Sequence, residues 1–364
     1  VTIMVLCLGR NKMAILHPLE CYLLEQFSSP AHFAATRDAI IAFIDAHEAA
    51  YARYQQELPV RNRKEPLWKQ GDVVWGSRVL PNIRPSREQY INAYILRTHN
   101  NPEAFRIGHA MNDFNRNICE FWNGWMTDKE QNQIARAEGD AYWLDKVLTM
   151  TVSGKWSEGD LTYFQGDLYQ LAELPKRIPR YELDLSVRVE KGERPVITGI
   201  YLPDVEQAPA QLLYPGVKYG NPPTCRQGVK RSEWVHEKTG KRDYNWDETR
   251  WAETGWTLIR RVEGEYLDVP LEGFFPNGTP EELYNWPERE KDYITREEEY
   301  ISAWSGELSP HSGDWSVFTG SEMKYVSVGQ GQALPYLTGA NDSPQRVCWT
   351  LIKRDDNGSV FRTK

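Results

Sequence analysis

Between Lys230 and Glu248 the chain sets the carboxylates Glu233, Asp243, Asp247 and Glu248 among Trp234, His236, Tyr244 and Trp246. Rigid aromatics give large contact area at low entropic cost, and carboxylates beside them attract a basic surface, so the mixture suits the gripping of another protein. Core packing explains Trp234, Tyr244, Trp246 and the nearby Trp251 least, because charges surround them. Two other chemistries use the same residue types. Planar aromatics form sugar-binding faces, and two carboxylates meeting in a pocket make a hydrolase; spacing along the chain leaves both alternatives open.

Other chemistries lack their signatures. The seven histidines include no His-Glu-x-x-His, and His32 and His47 stand too far apart on one expected helix to share a metal, so no metal and no cofactor is expected. There is no Gly-x-Ser-x-Gly elbow and no Gly-x-x-x-x-Gly-Lys phosphate loop, and Gly329-Gln330-Gly331 leads to Pro335 instead of into a helix. No catalytic residue and no small-molecule substrate is therefore expected. A formal net charge of −8 speaks against a nucleic-acid partner. No apolar run is long enough to span a bilayer, which speaks against a membrane. The five cysteines are odd in number and scattered, and read as reduced thiols of a cytoplasmic protein. The run from Ile3 to Leu8 is short and has no basic residues before it, so it is expected to be a first strand or foreign to the native protein, not a signal peptide.

The scaffold that must position the 230–248 stretch occurs twice. Thr198-Gly199-Ile200-Tyr201, Leu212-Leu213-Tyr214-Pro215-Gly216, Pro222 and Trp256-Thr257-Leu258-Ile259-Arg260-Arg261 recur in order as Ser312-Gly313-Asp314-Trp315, Val326-Ser327-Val328-Gly329, Pro335 and Trp349-Thr350-Leu351-Ile352-Lys353-Arg354. The closing hexapeptides differ only by a Lys-for-Arg exchange. Alternating β-branched and aromatic residues broken by Gly and Pro predict strands, and thus a duplicated β unit at about 198–262 and 311–355. From the proline to Trp-Thr-Leu-Ile the first copy is far longer, and the excess contains the eight residues above. An insert on one of two equivalent scaffolds is where function is to be sought.

Ahead of these units the sequence predicts four amphipathic helices. Ser29-Pro30 opens the first, whose stripe is Phe33, Ile40, Ile44, His47, Tyr51, Tyr54 and Leu58; Ser86 with Gln89 opens the second, Asn101-Pro102 the third, and Thr127 with Glu130 the fourth. Short connections between them imply an antiparallel bundle. The apolar link from Pro59 to Pro85 is expected to be a short hairpin. Thr279-Pro280-Glu281-Glu282 and Thr295 with Glu298 predict further helices between the two β copies. The expectation is an α+β protein with a helical domain over residues 1–150 and a β-rich domain over 151–364.

With Thr198 to Pro203, Ser312-Gly313-Asp314-Trp315, the segments Gly216 to Pro222 and Gly329 to Pro335, and Trp349-Thr350-Leu351-Ile352 behind a helical region, the chain resembles the large immunity-protein families of bacterial polymorphic toxin systems numbered seventy-one and seventy-two, found beside rearrangement-hot-spot and type VI secretion toxins. The resemblance implies a cytoplasmic antitoxin of interbacterial competition whose partner is a cognate toxin domain and which has no catalysis of its own. In that setting Glu233, Trp234, His236, Asp243, Tyr244, Trp246, Asp247 and Glu248 form the expected partner-binding set.

Overall fold

A computed structural model describes residues 14–58, 60–118, 121–161, 175–216, 222–271, 273–274, 278, 282, 285–296, 299–319, 322–338 and 344–362. The chain is α+β: helices α1 (Pro18–Phe27), α2 (Pro30–Glu57), α3 (Gly71–Val74), α4 (Leu80–Thr98), α5 (Ala110–Ile118) and α6 (Asp128–Val152) precede the strands. It divides into two compact units, Val1–Thr295 and Arg296–Lys364. The boundary expected near residue 150 marks the change from helix to strand and falls inside the first unit. The reason is packing: Leu212 and Tyr214 of the β region share a core with α2, α4 and α6, and α1 shares one with strand residues Ile178, Ile200 and Ile259. The run Ile3 to Leu8 lies outside the described residues.

Two helix starts follow the sequence closely. Ser29 accepts the backbone N–H of His32, and Thr127 and Glu130 form a reciprocal capping box at α6. Phe33, Ile40, Ile44, His47 and Tyr54 are buried as the stripe on α2 requires. Two starts differ. α4 begins at Leu80, ahead of Ser86, with Pro85 inside it; burying Leu80 and Ile83 contributes about 1.5–3 kcal/mol each, which offsets the roughly 3 kcal/mol cost of an interior proline. At Asn101 the side chain accepts the Glu103 N–H, yet the turn it opens stops at Phe105. The helix restarts as α5, where the fully buried Asp145 carboxylate accepts the Met111 N–H at 2.9 Å and His109 Nδ1 at 2.5 Å. Trp122 and Trp125 therefore lie beyond the helix. The link from Pro59 to Pro85 is not a hairpin but a series of tight helical turns, Val60–Lys64, Leu67–Lys69, α3 and a π turn at Trp75–Val79, which seats Trp75 in the core stacked on His47 at 5.3 Å.

In the first unit β1 (Arg177–Val189), β2 (Gly199–Pro203), β3 (Gln211–Leu213) and β6 (Trp256–Asp268) form an antiparallel sheet in the order β1-β6-β2-β3, and β7 (Ile294–Arg296) also pairs with β6. β4 (Thr224–Val235) and β5 (Arg242–Glu253) make a separate two-stranded ribbon. In the second unit β8 (Glu299–Tyr300) pairs with β15 (Phe361–Arg362). There β9 (Ser302–Trp304), β10 (Gly313–Phe318), β11 (Met323–Val328) and β14 (Cys348–Arg354) form a sheet in the order β11-β10-β14-β9. The short β12 (Leu337–Thr338) and β13 (Pro344–Gln345) pair with each other. The helix expected to start at Thr295 does not extend over Tyr300, Ile301 and Trp304, which lie in this strand region because backbone pairing with β14 and β15 captures them. The start expected at Thr279-Pro280-Glu281 lies outside the described residues.

The duplication is visible in the register. Tyr201 faces Leu258 and Leu202 faces Thr257; Trp315 faces Leu351 and Ser316 faces Thr350. Val189 faces Trp256 as Ala303 faces Trp349, and Gly199 faces Leu213 as Gly313 faces Val328. Five equivalent positions form each small core: Val189, Tyr201, Leu213, Trp256 and Leu258 in one copy, Ala303, Trp315, Val328, Trp349 and Leu351 in the other. Glycine heads both units for one reason. A Cβ at Gly199 would lie 2.5 Å from Leu258 Cδ1, and one at Gly313 would lie 2.1 Å from the Lys353 carbonyl oxygen.

Candidate functional site

The insert of the first copy is the β4–β5 ribbon, and all eight predicted residues lie on it. It stands where the second copy has β12 and β13, which pair over only two residues each. Pairing runs from Thr224 opposite Glu253 to Val235 opposite Arg242, with irregularities around Gly228, Lys230 and Arg231. The base is fixed by Cys225 and Ala252 at the small core and by the Gly228 N–H, which donates to the Gln207 carbonyl at 2.8 Å. At the tip the His236 N–H donates to the Lys241 carbonyl at 2.9 Å, and Gly240 takes φ +67° to close the turn.

Halfway along, the ribbon is held a second time. Trp246 Nε1 donates to the Glu158 carbonyl at 3.1 Å, and the Tyr244 hydroxyl reaches the same oxygen at 3.4 Å. Gly159, at φ +84°, lies directly beneath Tyr244: a Cβ there would sit 2.1 Å from the hydroxyl. Gly228 is equally necessary under Trp246, whose ring would meet an added Cβ at 2.5 Å. Tyr244 and Trp246 are thus half-buried anchors of the ribbon to its own unit. Trp234, with 41% of its surface exposed, and Trp251, with 55%, are the aromatics that face outward. Val235 is exposed beside Trp234, whose ring meets His236 edge-on at 6.2 Å.

Three of the four expected carboxylates are engaged within the ribbon. Glu233 lies between Arg231 at 2.8 Å and Arg242 at 3.1 Å. Asp243 meets His236 Nε2 at 3.2 Å, and Asp247 accepts the Ser232 hydroxyl at 2.5 Å. Glu248 is exposed opposite Lys230. Seven basic side chains oppose six acidic ones between Thr224 and Glu253, so the ribbon as a whole is close to neutral and its recognition surface is aromatic more than acidic.

Carboxyl groups gather elsewhere. Glu20 on α1 and Glu158 after α6 are both buried. Burial first, and then the neighbouring Glu158 and Asp160, push Glu20 up to about 8, against the opposing pull of the Gly159 N–H. The sequence held no sign of this, because the two acids come from elements 138 residues apart along the chain. Three clefts of the first unit each take in a single carboxylate, Asp113, Asp140 or Glu25. Among the described residues no group of three His, Cys, Asp or Glu is placed to hold a metal ion, no helix is long and apolar enough to cross a membrane, and Cys21, Cys225 and Cys348 are free thiols. His17, His32 and His47 are packed in the interior, and burial lowers His17 to about 3 and the other two to about 4. No protein-family model, curated protein or solved structure matches this chain.

Proposed function

We propose that the protein is a cytoplasmic immunity protein that binds and blocks a cognate secreted bacterial toxin domain, with the β4–β5 ribbon as its gripping element and without catalysis of its own. One observation carries the reading: two sheets whose four core strands share their order and core register differ in a hairpin of two-residue strands in one and twelve-residue strands in the other. The longer one displays Trp234 and Trp251 to solvent. Exposed tryptophans on a braced scaffold are the residue type that dominates protein–protein affinity.

Co-purification with the product of the adjacent gene tests it. A stable complex is expected, weakened at least about tenfold by Trp234→Ala or Trp251→Ala and changed little by moderate salt, since the ribbon's opposite charges nearly balance. Absence of a complex, or a complex indifferent to both substitutions, rejects the ribbon as the interface.

A further inference from the structure

Away from the ribbon, the first unit holds a cleft of about 320 Å³ where the C-terminal ends of α1 and α4 meet the sheet across β1, β6, β2 and β3. Its floor is apolar, made by Ile200, Leu212 and Ile259, while Leu258 turns to the small core on the other face of the sheet. On its wall stands Arg97, in the last turn of α4. Arg97 Nε donates to the Ser28 carbonyl at 2.7 Å, Nη1 donates to Asn100 Oδ1 at 3.0 Å, and the guanidinium lies 5.5 Å from the centre of the Phe105 ring. Nη2 makes no hydrogen bond or ion pair with any described residue. Burial lowers the guanidinium's pKa, and no neighbouring carboxylate counters it.

The other charges of the cleft are already neutralised. Glu25 takes Arg261 Nε at 2.9 Å and the Tyr181 hydroxyl at 2.8 Å. Arg260 is paired with Asp184 at 2.6 Å. Arg97 is left as a half-buried cation beside an apolar floor, the condition under which a carboxylate gains most from a charge-assisted hydrogen bond. The second copy has nothing equivalent, since its register places Asp314 and Ser327 where the first has Ile200 and Leu212.

We propose that this cleft is a binding site for an organic carboxylate bearing a short apolar group. The Arg97 guanidinium receives the carboxylate through Nη2, and the apolar group covers the Ile200–Leu212 floor. The group is either a free small acid or the carboxyl terminus of a polypeptide ending in an apolar residue.

Titration calorimetry on the full chain with hexanoate, hexanamide and a short peptide ending in leucine, with its terminus free or amidated, tests the assignment. A carboxylate form is expected to bind saturably and its uncharged amide at least about tenfold more weakly, which corresponds to about 1.4 kcal/mol. Binding by hexanoate points to a free acid as the source, and binding by the peptide alone to a chain terminus. Arg97→Gln is expected to lose at least about tenfold and Arg97→Lys less, because an ammonium keeps the charge without the planar fork. Because Arg97 also ties α4 to the end of α1, the comparison of acid with amide on the unsubstituted chain decides the question if Arg97→Gln does not fold. Equal affinity for acid and amide, undiminished binding by a folded Arg97→Gln protein, or no saturable binding by either carboxylate overturns the proposal.

Discussion

The two sheets of this chain share strand order and the register of five core positions, but they differ on their other faces. In the first copy Ile200, Leu202 and Ile259 pack against α1 and its neighbours, so the sheet is buried on both sides. In the second copy the same strand positions carry the half-buried Asp314 and the buried Ser316, and Ile352 is exposed. That sheet has one dry face and one polar face, as antiparallel sheets commonly do. What the two copies retain is the small core around two tryptophans, and what they vary is everything attached to it: a helix on one face, a hairpin extended from two-residue to twelve-residue strands.

The largest expected effect lies in what the copies share. Trp256→Ala and Trp349→Ala each empty the centre of an equivalent core, and each is expected to cost about 3–5 kcal/mol in denaturant unfolding. Trp349 also donates to the Pro335 carbonyl at 2.9 Å. A cost below about 1 kcal/mol at either site breaks the equivalence.

A smaller effect is expected where the copies differ. Leu202→Ser, which brings in the residue of the second copy, is expected to cost about 2–4 kcal/mol, since it leaves both a cavity and a hydroxyl beneath α1. Asp314→Ile, the reverse exchange on the partly exposed face, is expected to change stability by no more than about 0.5 kcal/mol. Equal costs for the two exchanges contradict the difference in coverage.

The smallest effect concerns pH, and the interior of the first unit governs it. Glu20 holds its proton in the folded chain up to about pH 8, whereas an unfolded glutamate releases it near its ordinary 4.5. Its contribution is complete below pH 4.5 and is lost as pH rises through 8. His17, His32 and His47 act in the opposite sense: their contribution is complete above pH 6.5 and is lost as pH falls through about 4 and 3. Glu20→Gln is expected to raise the Tm at pH 9 by at least about 2 °C over the unsubstituted protein, with little gain at pH 4.5. No gain at pH 9 removes Glu20 as a source of alkaline sensitivity.

The repeated β unit was legible because its motif residues are those that meet in each core: Tyr201, Trp256 and Leu258, and Trp315, Trp349 and Leu351. α2 and α6 were legible because Ser29 and the Thr127–Glu130 box act locally, within one turn. α1 was not. His17 provides no side-chain cap, and burial of Leu19, Cys21, Leu23, Leu24 and Phe27 leaves no clear amphipathic stripe. The helix begun at Asn101 failed because a distant buried acid, Asp145, creates a new start at Ala110. On the ribbon, residue type marked the right segment. Which aromatics point inward was decided by Glu158 and Gly159, which lie 85 or more positions earlier in the chain.

The double attachment of the ribbon, at Cys225 in its base and at Tyr244 and Trp246 along its length, has a mechanical consequence. A strand pair fastened at one end only would swing, and an approaching molecule would have to still it first. Fastened twice, it resists pivoting, and its outer tryptophans keep their spacing before any encounter. Association with such an arm draws little on conformational freedom and is limited by the orientation of the approach.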